Sequence, residues 1–144
     1  MKVKEVMTSQ VSFAQQNSTV NEVAQIMKSL DIGSVPVCNQ QNQPVGIVTD
    51  RDIVIRGLTA GLQATDTIER VMTQNLVSVS PETDIHEAAR VMGENQIRRL
   101  PVVENGQIVG MLAIGDLAVK NIYVDEAGDA LSEISTPSNL KNMK

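Results

Sequence analysis

One segment of the chain combines the residue types that hold a phosphate and a ribose. An apolar stretch, Gly46-Ile47-Val48, is followed by Thr49 and, three residues later, by Asp52. If the stretch is a strand and Thr49 starts a helix, the unpaired N–H groups there favour an anion such as phosphate, and the Thr49 hydroxyl adds a donor. The Asp52 carboxylate can accept two hydrogen bonds from the vicinal diol of a ribose. A phosphate and a ribose together indicate a nucleotide.

The same residues also have a purely structural interpretation. Thr49 can act only as a helix N-cap, with Asp52 as an acid that matches the helix dipole. A second copy of the segment, Gly110 to Asp116, keeps the acid but carries Ala113 at the position of Thr49. Asp116 has the same two interpretations, as a ribose ligand or as a first-turn acid. We therefore expect two sites that are not equivalent.

Both copies of the segment belong to an internal repeat. Val6-Met7-Thr8 returns as Val71-Met72-Thr73, 65 residues later. The same register pairs Ala24 with Ala89, Met27 with Met92, Pro36 with Pro101 and, after one deletion, Asp52 with Asp116. The chain is thus two copies of one unit. We predict repeats at 1–61 and 68–124, a linker at 62–67 and a partly disordered C-terminal extension at 125–144.

An apolar helix face recurs in both repeats. Its residues are Val20, Val23, Ala24, Met27 and Leu30 in the first repeat and Ile85, Ala88, Ala89 and Met92 in the second. Their spacing of three and four residues predicts core-facing helices. Thr19 with Glu22, and Asp84 with Glu87, have the spacing of a capping box, so we predict that the helices begin there.

The remaining elements also recur. Each repeat predicts a strand pair, and Asn105-Gly106 is a hairpin turn signal in the second. A second helix follows, at about 50–56 with Gly57 as its C-cap and at about 114–123. A short strand near Val11 or Leu76 opens each repeat, which gives the order β-α-β-β-α twice. We predict an α/β fold in which two units pack with pseudo-twofold symmetry, sheets inside and helices outside, with clefts along the seam.

The element order, the strand Val35-Pro36-Val37 with its counterpart Leu100-Pro101-Val102, and the segment 46–52 with its counterpart 110–116 resemble a tandem pair of CBS domains, or Bateman module. The resemblance covers residues 1–122 and is greatest to stand-alone CBS-pair proteins of bacteria. It implies a non-enzymatic sensor that binds AMP, ADP, ATP or S-adenosylmethionine in the cleft between the repeats. It also implies a homodimer. By this resemblance the site of Thr49 and Asp52 is the better nucleotide site, and the site of Asp116 is weaker, adenosine-preferring or empty.

The resemblance further implies which positions hold the base. They are the backbone groups just before the proline-containing strands, together with the opening strands. On this chain they correspond to Ile32, Gly33 and Ser34, to Ile97, Arg98 and Arg99, and, less definitely, to Thr8, Ser12, Thr73 and Val77. The two arginines can bridge phosphate oxygens through charge-assisted hydrogen bonds that lysine would not reproduce. They can equally be an exposed basic pair that forms salt bridges with the acidic surface.

Composition argues against several other functions. The net charge is −5, and Phe13 and Tyr123 are the two aromatic residues, so we expect no nucleic-acid partner. One cysteine, Cys38, and one histidine, His86, exclude a disulfide framework and provide neither a zinc cluster nor a catalytic triad. The start of the sequence lacks a hydrophobic signal region, and no apolar run approaches the ~20 residues of a membrane span. We therefore predict a cytoplasmic protein that binds no metal and is not an enzyme.

Two other functions remain open at this point. One is a ligand-independent protein-interaction module with vestigial clefts, which Ala113 favours. The other is a small nucleotide-processing enzyme, although the sequence lacks a P-loop lysine motif and an acidic metal cluster. A sensor would act on a protein effector, whose identity the sequence does not give, by binding its ligand more tightly in one conformation than in another.

Overall fold

The computed structural model describes residues 1–118 and 124–137. Its strands and α-helices are β1 (Ala14–Gln15), α1 (Val20–Leu30), β2 (Ser34–Cys38), β3 (Pro44–Thr49), α2 (Ile85–Asn95), β4 (Arg99–Glu104), β5 (Gln107–Ala113), α3 (Ile114–Ala118) and α4 (Val124–Ser135). Shorter turns of helix lie at Val3–Glu5, Leu58–Ala60 and Ile68–Arg70, and a π-helical segment lies at Asp52–Gly57. The predicted helix end at 119–123 and the predicted tail at 138–144 lie outside the described residues. Within the described ranges, no helix has the length and apolar content needed to cross a membrane.

These elements form two compact units. The first unit contains Ser12–Leu76 together with Asn105–Ile108. The second unit contains Met1–Val11, Val77–Glu104 and the described residues from Val109 onward. Each unit therefore combines the main part of one repeat with the opening segment of the other. The predicted α/β class is confirmed.

The core of the first unit lies between α1 and a three-stranded sheet. The sheet order is β1-β2-β3, with β2 parallel to β1 and antiparallel to β3. The fully buried side chains of this core include Val23, Val35, Val37, Val48 and Ile68. Helix α1 begins as predicted, because the Thr19 hydroxyl accepts the N–H of Glu22 at 3.1 Å.

The core of the second unit lies between α2, the β4-β5 pair and α4. Its fully buried side chains include Ile85, Met92, Leu100, Val102 and Leu112. The hairpin turn is confirmed, since Asn105 and Gly106 both have positive φ, 53° and 77°. Helix α4 packs on α2 at Gly93, where an added Cβ would lie 3.3 Å from the Glu133 Cβ. Part of the predicted C-terminal extension is therefore a packed helix.

The N-terminal segment is an integral part of the second unit. Val3 is fully buried, and its N–H donates to the Thr83 carbonyl at 2.9 Å. The ammonium groups of Lys2 and Lys4 both donate to the Glu82 carboxylate. These two hydrogen bonds lower the pKa of Glu82 to about 2. The carboxylate therefore stays charged at pH values well below those at which a glutamate is usually protonated.

The predicted opening strands are displaced by three residues. The first is β1 at Ala14–Gln15 rather than near Val11. The second is a single parallel bridge between Val79 and Val102 rather than a strand near Leu76. A strand of one or two residues has no alternating pattern, and its position depends on hydrogen bonds to the next strand, such as Val79 N–H to Pro101 O at 3.1 Å.

Two details of the predicted helix ends are wrong, although α2 begins at Ile85 as predicted. Gly57 has a helical φ of −83°, and the chain leaves the helix at Gly61, whose φ is +82°. Gly57 packs against Leu62 instead, and an added Cβ would lie 2.6 Å from Leu62 Cδ2, so the leucine side chain would have to move. At the start of α2, Glu87 binds Arg90 rather than completing a capping box with Asp84, which still accepts the His86 N–H at 2.8 Å.

Candidate functional site

The first candidate site is the end of strand β3 in the first unit. We call Gly33, Ser34, Thr49, Asp52 and Thr73 the first junction. The Asp50 N–H donates to the Gly33 carbonyl at 2.9 Å, and Ser34 pairs with Thr49 across the β2-β3 ladder. The predicted base-holding positions and the predicted phosphate-ribose positions of this repeat are therefore neighbours.

Thr49 and Asp52 bind each other's backbone. The Asp52 N–H donates to Thr49 Oγ1, and the Thr49 N–H donates to Asp52 Oδ2, each at 3.0 Å. The structural interpretation of these residues is thus correct, but it does not use all their bonding capacity. The Thr49 hydroxyl retains a proton to donate, and Asp52 Oδ1 is 3.5 Å from the Arg56 guanidinium. The Asp52 side chain is 17% exposed, so it remains accessible to a ligand.

Thr73 reaches the first junction from the other repeat. It exchanges two backbone hydrogen bonds with Ile47, at 2.8 and 3.0 Å. Its hydroxyl accepts from Arg56 at 3.5 Å, and the same guanidinium contacts Asp52. Gly46 permits this approach, because an added Cβ would lie 2.6 Å from the Thr73 carbonyl oxygen.

Ser34 supplies an unused polar group at the first junction. Its hydroxyl oxygen is buried and has no hydrogen-bond partner among the described residues. An unsatisfied buried hydroxyl costs about 1–3 kcal/mol. A polar ligand atom beside Ser34 would remove this cost.

The second candidate site is the equivalent place in the second unit. We call Thr8, Arg98, Arg99, Ala113 and Asp116 the second junction. The Ile114 N–H donates to the Arg98 carbonyl at 2.9 Å, and the Ala113 N–H donates to Asp116 Oδ2 at 2.9 Å. Thr8 exchanges two backbone hydrogen bonds with Met111, both at 2.9 Å. The backbone contacts therefore repeat those of the first junction. The hydrogen bond that the Thr49 hydroxyl accepts as a helix cap has no counterpart, because Ala113 has no hydroxyl.

The less definite candidates take different positions. Ile32 and Ile97 pack against the cores of their units, and their N–H groups donate to the carbonyls of Met27 and Met92, both at 3.0 Å. Their amides are thus used in helix termination. Val77 packs against the core of the second unit, and Ser12 is exposed in the first unit.

The structure adds Arg56, which the sequence analysis missed, to the first junction. It is the residue that contacts both Asp52 and Thr73. The signal in the sequence is its spacing, since Asp52 and Arg56 are four residues apart on a helix.

The two residues considered for metal or thiol chemistry lie elsewhere. His86 contacts Glu126 of α4, with 2.8 Å between Nδ1 and Oε1. Cys38 is buried, and burial raises the pKa of its thiol to about 11. Within residues 1–118 and 124–137, no group of three His, Cys, Asp or Glu side chains is placed to hold a metal ion.

Comparison with known proteins agrees with this geometry. The chain is 40% identical over 133 residues to the CBS domain-containing protein YhcV of Bacillus subtilis, covering 92% of this chain and 94% of that protein. The crystal structure of Hypoxic Response Protein I with two coordinated zinc ions superposes with a TM-score of 0.78 at 33% identity, covering 83% of this chain and 98% of that one. The CBS domain pair of protein MJ0100, in complex with 5′-methylthioadenosine and S-adenosyl-L-methionine, gives a TM-score of 0.73 at 27% identity, covering 83% and 94%.

The family model gives the assignment. The CBS domain model matches residues 3–57 and again residues 68–120. Each match contains one junction except for the threonine that the other repeat contributes, Thr73 or Thr8. The chain therefore belongs to the CBS domain family, as a tandem pair of CBS domains.

Proposed function

We propose that this CBS pair is a non-enzymatic regulatory module that binds an adenosine-containing ligand at its junctions. The ligand class is AMP, ADP, ATP or S-adenosylmethionine. The observation that carries the proposal is the first junction, where the Asp52 carboxylate and the Thr49 hydroxyl keep free bonding capacity next to the unsatisfied Ser34 hydroxyl. The adenosine ligands of the MJ0100 domain pair support the same class of ligand.

Each residue has a defined role in this proposal. Asp52 accepts hydrogen bonds from the ribose diol through Oδ1, while Oδ2 stays on the Thr49 amide. Thr49 donates its hydroxyl proton, and Ser34 bonds a polar atom of the ligand. Because residues of both repeats meet at each junction, a ligand there binds both repeats at once. Binding then changes the protein only as far as the ligand discriminates between two conformations, and such a change would be read by a protein effector or across a homodimer.

The test is a thermal-shift and calorimetric titration with adenosine, AMP, ADP, ATP and S-adenosylmethionine, with GTP as the base control. A ligand at 100 times its Kd stabilises the native state by about 2.7 kcal/mol. At about 2–4 °C per kcal/mol this corresponds to a rise of about 5–11 °C in Tm. We expect adenosine ligands to give this rise.

Matched variants locate the binding. Asp52→Asn keeps an acceptor for the Thr49 amide but removes the charge, so we expect a smaller ligand shift than in the wild type. Asp31→Asn is the control, because Asp31 has a φ of 54°, which asparagine tolerates, and lies outside both junctions. Absence of a shift with every ligand, confirmed by calorimetry, would favour a ligand-independent interaction module. Conversion of bound ATP or AMP, followed by chromatography, would contradict the non-enzymatic assignment.

A further inference from the structure

The two junctions have the same backbone but different charges. In both, an N–H just after the strand donates to the residue before the proline-containing strand, Asp50 to Gly33 and Ile114 to Arg98, each at 2.9 Å. The side chains at these matched positions can therefore be compared directly. Gly33 and Ser34 of the first junction correspond to Arg98 and Arg99 of the second, and Asp50 corresponds to Ile114.

The first junction has two carboxylates next to the positions predicted to bind the ligand. A Cβ added at Gly33 would lie 3.3 Å from Asp50 Oδ2, so the Asp50 carboxylate fills the space beside Gly33. Asp52 is the second acid. Of the nearby cations, Arg56 pairs with Asp52. The backbone N–H of Arg51, not its guanidinium, donates to Asp50 Oδ1 at 2.8 Å. A phosphate next to Gly33 would face the Asp50 carboxylate at close range.

The second junction carries two cations that pair with none of the described residues. Arg98 and Arg99 are both exposed, and neither guanidinium forms a hydrogen bond or ion pair with any described residue. Asp116 is the acid of this junction, and it is directed at the Ala113 amide. Ile114, in the place of Asp50, adds no charge. Two consecutive arginines where β4 begins, whose guanidiniums no described residue binds, can hold a phosphate chain through several charge-assisted hydrogen bonds.

We infer that the two junctions divide adenosine ligands by charge. The second junction takes the polyphosphorylated ligand through Arg98 and Arg99. The first junction takes an adenosine ligand without phosphate, and Asp50 favours one with a cationic group such as a sulfonium. The inference rests on the proposed function and reverses the order of the sites implied by family resemblance, in which Thr49 marks the stronger nucleotide site.

The first experiment is calorimetric titration of the full chain with ATP, adenosine, S-adenosylmethionine and its uncharged relative 5′-methylthioadenosine. The variants are Arg98→Gln with Arg99→Gln, and Asp50→Asn. Loss of one hydrogen bond to a charged group of this kind weakens binding at least about tenfold. We therefore expect the double variant to raise the Kd for ATP at least about tenfold and to leave the Kd for adenosine within about twofold. The affinity for ATP should also fall with added salt, while that for adenosine should not.

The Asp50→Asn variant tests the other half of the inference. It should lower the affinity for S-adenosylmethionine relative to 5′-methylthioadenosine by several-fold and leave the tight ATP site unchanged. Arg51→Gln is the matched control for removing an exposed arginine, and it should leave the Kd for ATP unchanged.

The outcomes separate the two proposals. If no adenosine ligand binds the wild type, the proposed function fails and the division by charge fails with it. If ligands bind but the double variant keeps its affinity for ATP, only the division by charge is overturned. The same holds if Asp52→Asn and Arg51→Gln reduce ATP binding as much as the double variant does.

Discussion

Replacing Gly46 by alanine should destabilise the fold at one defined contact. The added Cβ would lie 2.6 Å from the Thr73 carbonyl oxygen and 3.0 Å from Met72 Sδ. Real Cβ atoms do not approach a neighbour closer than about 3.0 Å, so the Thr73 backbone must move by about 0.4 Å or more. That movement strains the hydrogen bonds that Thr73 exchanges with Ile47 at 2.8 and 3.0 Å.

The size of the effect follows from opposing contributions. Overpacking a rigid contact costs about 1–3 kcal/mol. Weakening one of the hydrogen bonds adds about 1 kcal/mol. Alanine recovers about 0.5–1 kcal/mol by restricting the unfolded chain. We expect Gly46→Ala to lower the free energy of unfolding by about 2 kcal/mol, which is about 4–8 °C in Tm.

Two other glycines provide controls in urea or thermal unfolding. Gly110 is the equivalent position, but an added Cβ meets Met7 Sδ first, at 2.5 Å, and the flexible methionine can move away, so Gly110→Ala should cost less than Gly46→Ala. Gly115 lies in α3 with no atom within 4 Å of an added Cβ, and Gly115→Ala should stabilise by about 0.5–1 kcal/mol. The reasoning would be refuted if Gly46→Ala melted at or above the wild-type temperature, or if Gly110→Ala lost more stability.

Three further predictions follow from local contacts. Thr49→Ala removes a helix cap and should cost about 1 kcal/mol in urea unfolding, whereas Ala113→Thr should restore the equivalent cap and not destabilise the protein; equal effects would contradict this. The Cys38 thiol, with its pKa raised to about 11, should not react with a disulfide reagent at pH 8 until the protein unfolds; its contribution to stability is complete below about pH 9 and is lost as the pH rises through 11. Gly93→Leu should separate α4 from α2 and, because a protease cuts unfolded backbone, speed cleavage after the already exposed Glu133 by a glutamate-specific protease, with Gly93→Ala cleaved more slowly; unchanged cleavage would show that this contact does not hold α4.

Elements with strong local patterns were predictable from the sequence. Helices α1 and α2 follow from apolar positions at helical spacing and from the capping side chains of Thr19 and Asp84. The Asn105-Gly106 turn follows from its need for positive φ. The arrangement of Thr49 and Asp52 was predictable for the same reason, because they lie three residues apart and cap the helix through hydrogen bonds to each other's backbone.

Features set by contacts between distant residues were not predictable. β1 depends on pairing with β2 and has only two residues, so it carries no periodic signal. The contact of Thr73 with β3 also joins residues that are distant in the chain. The need for glycine at position 46 is evident only once Thr73 is known to lie beside it. Arg98 and Arg99 were identified as an informative pair, but whether an acidic side chain pairs with them depends on the folded chain, in which no residue of 1–118 and 124–137 does so.

The exchange of opening segments makes each core depend on residues of both repeats. Met1–Val11 contributes to a core whose other residues begin at Val77. During synthesis, this segment therefore cannot pack into its core until more than half of the protein has been made. The first unit likewise cannot complete its core until the chain has been made beyond Leu76. A gene fragment encoding one repeat would lack a segment that each core requires. Duplication, fusion and loss in this lineage should therefore act on both repeats together.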